Sequence, residues 1–145
     1  MSLSERYQRK SIQQAQVLLG DEVKVLDHAP GYAGPHPYVT VCAIVIPVLL
    51  LALLTGRLIG GIPIILAGYA VNKPRGLVLT NQGVTVFKRS VLVGRLTQPI
   101  ATLPAESLTA VSAPAQMGYL RIPLAAERVW IRDKDQRRMT SGAKA

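Results

Sequence analysis

Three hydropathy patterns follow one another along the chain, and the middle one is almost uninterrupted aliphatic sequence. From Tyr38 to Val71 the only charged residue is Arg57. The sequence before this stretch repeats apolar residues near helical spacing, and the sequence after it alternates them with the period typical of strands. The pattern predicts a helix and linker over 1–37, a membrane segment over 38–71 and a β-rich domain over 72–145.

The apolar middle is too long for one comfortable membrane span. Its 34 residues would form a helix of roughly 51 Å, whereas a bilayer core is ~30 Å thick. A polar break at Thr55–Arg57 divides it into two short spans, Tyr38–Leu54 and Leu58–Val71. Pro47 lacks a backbone donor and predicts a kink near Ala43–Ile44. One span followed by a partly buried segment is the alternative to this transmembrane hairpin.

Residues at the ends of the two spans predict which way the hairpin faces. Tyr38 opens the first span and Tyr69 nearly closes the second, so the hairpin places both tyrosines at one membrane interface, where aromatic residues are enriched. Lys73 and Arg75 follow on the same side, and we expect all four residues to anchor the chain there. The positive-inside bias then predicts an integral cell-membrane protein with both termini in the cytoplasm.

The first 37 residues predict one helix and an irregular linker. Apolar residues recur near helical spacing from Ser4 to Leu19, and Gly20 stands where a helix C′ glycine belongs. This amphipathic helix either lies on the membrane surface or packs on the protein's own domain. Glu22–Leu26 predicts a short strand. The segment from Ala29 to Pro37 contains three prolines and two glycines, so we expect it to be a linker without regular structure.

The last 74 residues predict a small antiparallel sheet or half-barrel. The clearest signal is a hairpin in which Asn81-Gln82-Gly83 forms a three-residue loop between two apolar strands, with glycine where a left-handed conformation is needed. Helical turns are expected from Asp133 to Met139. The strands of this region are predicted at Leu77–Thr80, Val84–Phe87, Val91–Leu96, Leu108–Val111, Tyr119–Leu124 and Glu127–Arg132.

Several of these segments resemble bacterial PH-like domains. The string from Arg75 to Phe87, with Thr80-Asn81 before the turn, is similar to the first hairpin of that family, although an acidic residue usually stands where this chain has Asn81. Glu127–Ile131 and the Leu19–Val23 segment are similar to parts of small actinobacterial membrane proteins with such a domain. The resemblance implies a membrane-tethered PH-like sheet. Together with the hydropathy pattern it predicts a membrane α+β fold: a two-helix transmembrane hairpin beside a small antiparallel PH-like β-domain, with an N-terminal amphipathic helix. It implies no catalytic residue, cofactor or defined ligand.

Charge is concentrated after the membrane segment. The net charge of the chain is +9, of which residues 72–145 contribute +8. Basic sequence next to a span sets topology and attracts anionic headgroups. We therefore predict a membrane-anchored binding or scaffolding protein whose partner is membrane lipid, another protein or a second copy of itself. The predicted binding residues are Lys88, Arg89, Arg95, Arg132, Lys134, Arg137 and Arg138. The alternative for these charges is that they only set topology.

The inventory of side chains argues against other functions. No phosphate-binding loop, nucleophile elbow or zinc-ligand spacing is present, so we expect no enzyme activity, no cofactor and no metal site. The single cysteine, Cys42, excludes an intrachain disulfide. Few aromatic residues accompany the basic ones, which argues against nucleic-acid binding. A phage holin-like or transport-accessory protein is the alternative function, although a holin needs no folded β-domain.

Overall fold

The computed structural model describes residues 3–56, 68, 70–91, 93–110, 115–124 and 127–143. A 3-10 turn at Ala105–Leu108 precedes the last two strands. The helices and strands follow in the order α1 (Leu3–Leu19), β1 (Val25–Ala33), α2 (Pro37–Thr55), β2 (Lys73–Thr80), β3 (Gly83–Arg89), β4 (Leu96–Leu103), β5 (Tyr119–Leu124), β6 (Glu127–Arg132) and α3 (Asp133–Ala143).

The strands form one open antiparallel sheet in the order β4-β3-β2-β1-β6-β5. Strand β1 comes before the apolar segment, yet both of its neighbours come after it. Ala33 pairs with Lys73 of β2 on one side and with Val129 of β6 on the other. The sequences on either side of the apolar segment therefore build one α+β domain together.

The predicted linker is wrong in its first half, because β1 runs through Ala29-Pro30-Gly31-Tyr32-Ala33. Pro30 is tolerated because its only paired neighbour is Gly76 of β2; the pairing with β6 begins one residue later. Gly31 is required by close packing: a Cβ there would lie 2.7 Å from Leu77 Cδ1 and 2.8 Å from Val129 Cγ1. The proline and glycine that suggested a break are thus adaptations to the middle of a sheet.

Helices cover both faces of the sheet, which is why its central strands are buried along nearly their whole length. On one face, Ala15 of α1 packs against Val78, Phe87 and Leu96. On the other face, Met139 of α3 joins a larger core. The strand residues of that larger core include Leu77, Leu79, Val84, Val86, Ile122, Val129 and Ile131.

Helix α1 confirms the predicted helix to within one residue, and Gly20 after it has φ +81°. The predicted hairpin is confirmed too, although Thr80 pairs with Gly83, so that its loop has two residues. Strands β5 and β6 lie where they were expected. Helix α3 extends to Ala143, one turn beyond its prediction.

Two predicted strands are wrong. Val91–Leu96 is mainly the turn between β3 and β4, closed by the Ser90 amide donating to the Arg95 carbonyl over 2.8 Å. Gly94, at φ +66°, gives this turn a conformation that side chains disfavour. Leu108, predicted to start a strand, ends a 3-10 turn instead, and Val111 lies outside the described residues.

One helix among the described residues, α2, is long and apolar enough to cross a membrane. Pro47 cannot donate to the Ala43 carbonyl, and the backbone forms a π-helical turn over Val41–Val45, where the kink was expected. Most of the second predicted span, Leu58–Val71, lies outside the described residues.

Candidate functional site

One end of the sheet, here called the attachment end, carries both connections to the apolar segment. Ala33, where β1 ends, pairs with Lys73, where β2 begins. Arg75 pairs with Lys88, and continuing that register places Ser90 level with Lys73. The β3–β4 turn therefore projects past Lys73, in the direction in which the apolar segment leaves the sheet.

The β3–β4 turn combines an apolar tip with basic flanks. Val91 and Val93 are 38% and 64% exposed although they are aliphatic. Three of the predicted binding residues, Lys88, Arg89 and Arg95, stand on either side of the tip, and the first and last of them are exposed. Apolar side chains surrounded by cations match the interface of an anionic bilayer, where headgroup charge lies above acyl chains.

Helix α1 holds this turn in place. The Tyr7 hydroxyl donates to the Gly94 carbonyl over 2.9 Å, and Arg89 Nε donates to the same oxygen over 3.0 Å. The Arg89 guanidinium also donates to the Tyr7 hydroxyl and lies over its ring. Arg89 is thus a structural support of the turn, whereas Lys88 and Arg95 are its exposed charges.

The other four predicted residues gather where β6 passes into α3. Arg138 is held by ion pairs to Asp27 at 2.8 Å and Asp135 at 3.1 Å, and Arg137 pairs with Asp133. A hydrogen bond with Tyr119 raises the pKa of Arg132. Lys134 is exposed. The structure therefore divides the seven predicted residues into two groups, one at the β3–β4 turn and one at the start of α3. In the second group, Arg137 and Arg138 form ion pairs with the protein's own carboxylates.

A cleft of about 470 Å³ adjoins the second group. Its wall includes Tyr7, which also supports the β3–β4 turn, so the two basic groups are neighbours on the surface. Three predicted residues line it, namely Arg132, Lys134 and Arg138.

Beneath this cleft, Asp27 and His28 form a network that the sequence did not reveal. The Asp27 carboxylate accepts from Gln8 of α1 over 2.6 Å and from Arg138 of α3 over 2.8 Å, so it joins the two helices. Burial and the charges of Arg89 and Arg138, opposed by Asp27, together lower the pKa of His28 to about 4. The Asp-His pair next to the short predicted strand Glu22–Leu26 is the sequence feature that could have indicated it.

The four predicted interface anchors differ in their surroundings. Lys73 is exposed at the attachment end, and Tyr38 is exposed in the first turn of α2. Arg75 is only 6% exposed and donates to both Glu127 carboxylate oxygens, over 2.9 and 2.8 Å. This hydrogen bonding lowers the pKa of Glu127. Arg75 thus ties β2 to β6 inside the sheet, a geometry that does not favour headgroup contact. Tyr69 lies outside the described residues.

An aromatic cluster joins the sheet to the first turn of α2. The His36 ring lies 4.5 Å from that of Trp130 and 5.7 Å from that of Tyr38, measured between centroids, and Tyr119 meets it edge-on. Trp130 Nε1 donates to the Gly34 carbonyl over 3.0 Å. The helix therefore leaves the sheet from a fixed base rather than from a loose linker.

In the part of the chain that the structure describes, no three His, Cys, Asp or Glu side chains lie together as metal ligands would. Comparison with known protein families, with curated proteins and with solved structures finds no match to this chain.

Proposed function

We propose that this chain is a membrane-anchored, non-enzymatic binding protein whose β-domain lies on the cytoplasmic face and engages the anionic lipid surface beside its own anchor. The observation that carries the proposal is the β3–β4 turn. It combines exposed Val91 and Val93 with Lys88 and Arg95, and it projects from the attachment end.

Strand pairing supports the hairpin topology and the placement of both termini on one face. Ala33 and Lys73 are paired neighbours, and paired strands lie only ~4.8 Å apart. A single crossing would separate these residues by a bilayer core of ~30 Å. An anchor that leaves the sheet and returns to the same end must cross an even number of times, and two crossings use the predicted spans.

The surface of α2 supports lipid as its surroundings. Its leucines, such as Leu49, Leu50 and Leu53, are exposed and are not covered by the sheet domain. Burying such a side chain away from water is worth about 1.5–3 kcal/mol, so this helix gains most of its stability from a surrounding apolar phase.

The charges of the turn act additively near a bilayer. Each Lys or Arg close to an anionic leaflet contributes about 1 kcal/mol, and the attraction falls off within a Debye length. Lys88 and Arg95 together with the valines therefore give a contact that depends on both salt and lipid charge. This dependence separates lipid engagement from a purely topological role of the charges.

The folded sheet favours a binding module over the holin-like alternative, since membrane permeabilisation needs no such domain. An antiparallel sheet tethered to an apolar helix also agrees with the PH-like assignment, which we retain as part of the proposal. A protein partner in place of lipid is an outcome of the experiment below.

The proposal is tested with an environment-sensitive fluorophore on the full chain in nanodiscs. In a Cys42→Ala background, Val93→Cys carries the label at the turn and Gln82→Cys carries it at the opposite end of the sheet. We expect the Val93 label to shift to the blue in phosphatidylglycerol nanodiscs relative to phosphatidylcholine nanodiscs, and the shift to shrink at high salt. The Gln82 label is expected to stay unchanged.

Charge reversal sharpens this test. Lys88→Glu with Arg95→Glu is expected to abolish the lipid-dependent shift, whereas Lys24→Glu near the opposite end leaves it intact. A Val93 label that responds equally to neutral and anionic nanodiscs contradicts the lipid proposal and leaves a protein partner as the alternative.

The membrane topology is tested by a separate measurement. Cysteines at Gln13 and Gln82, before and after the apolar segment, are expected to react with an impermeant reagent only from the cytoplasmic side. Reaction of the two positions from opposite sides contradicts the hairpin.

A further inference from the structure

A cleft of about 490 Å³ opens at the attachment end of the sheet, beside the two connections to the apolar segment. Ala33 pairs with Val129, two residues after β6 begins, so the β5–β6 connection also lies at this end. In the strand order, β1 and β2 stand between the β3–β4 turn and the β5–β6 hairpin. The cleft lies on the β6 side and reaches Gly34 and Val71, where the apolar segment leaves and rejoins the sheet domain.

In the part of the chain that the structure describes, three basic side chains line this cleft, and each comes from a different strand. They are Lys73 of β2, Arg121 of β5 and Arg128 of β6. Lys73 and Arg128 are exposed, and Arg121 is half-buried. Among the described residues of the lining, Glu127 is the only acid, and its carboxylate already accepts two hydrogen bonds from Arg75, over 2.9 and 2.8 Å. The cleft therefore holds more positive charge than its own carboxylate neutralises.

The Arg121 side chain is positioned by the aromatic ring of Trp130. Its guanidinium carbon lies 5.5 Å from the ring centroid, and the two residues are paired neighbours in β5 and β6. Trp130 is fixed in turn, because its Nε1 donates to the Gly34 carbonyl over 3.0 Å. Arg121 Nε is buried, so the terminal nitrogens of the guanidinium are the donors that can reach the cleft. Arginine recognises phosphate through such edge donors, and the ring already restricts this side chain before a ligand binds.

The number of cations and their place in the fold together indicate a phosphate ester. A phosphomonoester carries about −1.5 to −2 charges at pH 7 and has three acceptor oxygens, so each of three basic groups can bind its own oxygen. A phosphodiester or a carboxylate has one negative charge and only two such oxygens. Lys73 stands two residues after the apolar segment ends at Val71, which on the proposed placement is the depth of lipid headgroups.

We infer that this cleft binds the phosphomonoester headgroup of an anionic lipid of the phosphatidic acid class. The phosphate oxygens accept from Lys73, Arg121 and Arg128, and the acyl chains enter the bilayer beside the anchor. Lipid phosphates reach the cleft only if the attachment end faces the membrane, so this inference rests on the proposed function. The cleft selects one headgroup, whereas the β3–β4 turn responds to lipid charge of any kind.

Native mass spectrometry of the full chain tests the site. The protein is equilibrated in neutral detergent with equal amounts of phosphatidic acid and phosphatidylglycerol of the same acyl chains, and the lipid that remains bound is identified from its mass. We expect phosphatidic acid to be retained about tenfold more often, the factor expected for one additional hydrogen bond between charged groups. Soluble glycerol phosphate supplies the same headgroup without acyl chains, and at equal concentration we expect it to leave the bound lipid in place.

Charge removal within the cleft is compared with charge removal elsewhere. Lys73→Gln with Arg128→Gln replaces two exposed side chains and is expected to abolish the preference for phosphatidic acid without disturbing the fold. Lys10→Gln with Lys24→Gln changes the net charge equally, outside the lining of the cleft, and is expected to preserve the preference. Arg121→Lys keeps the charge but loses the paired N–H donors, and is expected to lower the preference to an intermediate value.

The outcomes distinguish failure of this site from failure of the proposed function. Equal retention of the two lipids, or a preference that Lys73→Gln with Arg128→Gln leaves unchanged, overturns the phosphate site. Displacement by glycerol phosphate at equal concentration overturns the lipid as its ligand and leaves a free phosphate ester. Labelling of Gln13 and Gln82 from opposite sides overturns the membrane placement on which the site depends. Selective retention of phosphatidic acid together with an unresponsive Val93 label retains the cleft and removes the role of the turn.

Discussion

Strand β2 and helix α2 both contain runs of aliphatic residues, yet only the strand buries these side chains in the folded domain. Leu77, Val78 and Leu79 are completely buried because α1 covers one face of the sheet and α3 the other. Leu50 and Leu53 of α2, by contrast, are 55% and 79% exposed. The comparison teaches that hydropathy identifies side chains that favour burial, whereas the placement of neighbouring elements decides whether the folded domain buries them.

The largest expected effect comes from shortening one leucine in each region. Leu77→Ala leaves a cavity between packed layers and is expected to lower the free energy of unfolding of the sheet domain by about 2–5 kcal/mol. Leu50→Ala removes the same atoms from a half-exposed position and is expected to change this free energy by less than about 0.5 kcal/mol. Thermal unfolding in nanodiscs, followed through Trp130, measures both. Equal losses would mean that α2 packs on the domain.

A charged residue on the helix is expected to act on insertion instead. Ile46→Asp is expected to make insertion of the helix less favourable by about 2.5–3.5 kcal/mol, the cost of an aspartate near the centre of a span. An insertion assay with a glycosylation reporter measures this cost, and Ile46→Ala is the control. Unchanged insertion of the aspartate variant would argue against a spanning position.

The buried imidazole of His28, on strand β1, makes the stability of the sheet domain depend on pH. The pKa of His28 falls from 6.5 to about 4 on folding, so the unfolded chain binds the additional proton. Stability is therefore complete above pH 6.5 and is lost as the pH falls towards 4, by about 3 kcal/mol in total. Arg89, Asp27 and Arg138 are the charges that act on this ring.

Denaturant unfolding between pH 7 and 4 tests this loss. His28→Gln is expected to flatten the profile above pH 5, and His36→Gln, which replaces the only other histidine, is expected to retain it. Carboxylates contribute in a lower window, since the pKa of Glu127 is lowered and its stabilisation is lost only below its ordinary value of 4.5. A steep loss that persists in His28→Gln would assign the acid response to another group.

The smallest effects distinguish a buried from an exposed ion pair. Glu127→Gln leaves the buried Arg75 guanidinium without its counter-charge and is expected to cost about 1–2 kcal/mol, discounted for the partial exposure of the carboxylate. Asp133→Asn removes the partner of the solvent-exposed Arg137 and is expected to cost less than about 0.5 kcal/mol. Urea unfolding of both variants measures the difference, and similar costs would contradict the distinction.

The sequence predicted the elements whose signals are local. Helix α1, the β2–β3 hairpin and the β5–β6 pair depend on periodicity and turn residues within each segment, and they lie where they were expected. The apolar helix was also identified, although the described residues do not reach most of its predicted partner.

Errors arose where tertiary context reverses a local signal. Pro30 and Gly31 suggest a linker, yet a missing neighbour strand accommodates the proline and close packing requires the glycine. Val91 and Val93 suggest a strand, yet Gly94 turns the chain between them and β4.

The candidate site depended on the same distant pairings. The basic residues were identified from composition, but their division into exposed, supporting and ion-paired groups could not be. Asp27 meets Arg138 only because β1 lies beside α3, and Asn72 meets Thr40 only because the two ends of the apolar segment return to one place. These contacts join residues that are far apart in the sequence, so no local sequence pattern predicts them.

The position of β1 has a consequence for biosynthesis. Both of its hydrogen-bonding partners are translated after the apolar segment, and the last of them, β6, directly precedes α3. On the proposed membrane placement, strand β1 waits unpaired on the cytoplasmic side while the apolar segment enters the bilayer. Completion of the sheet would then act as a checkpoint, since a chain whose segment failed to return to the starting face would leave β1 exposed to chaperones and proteases.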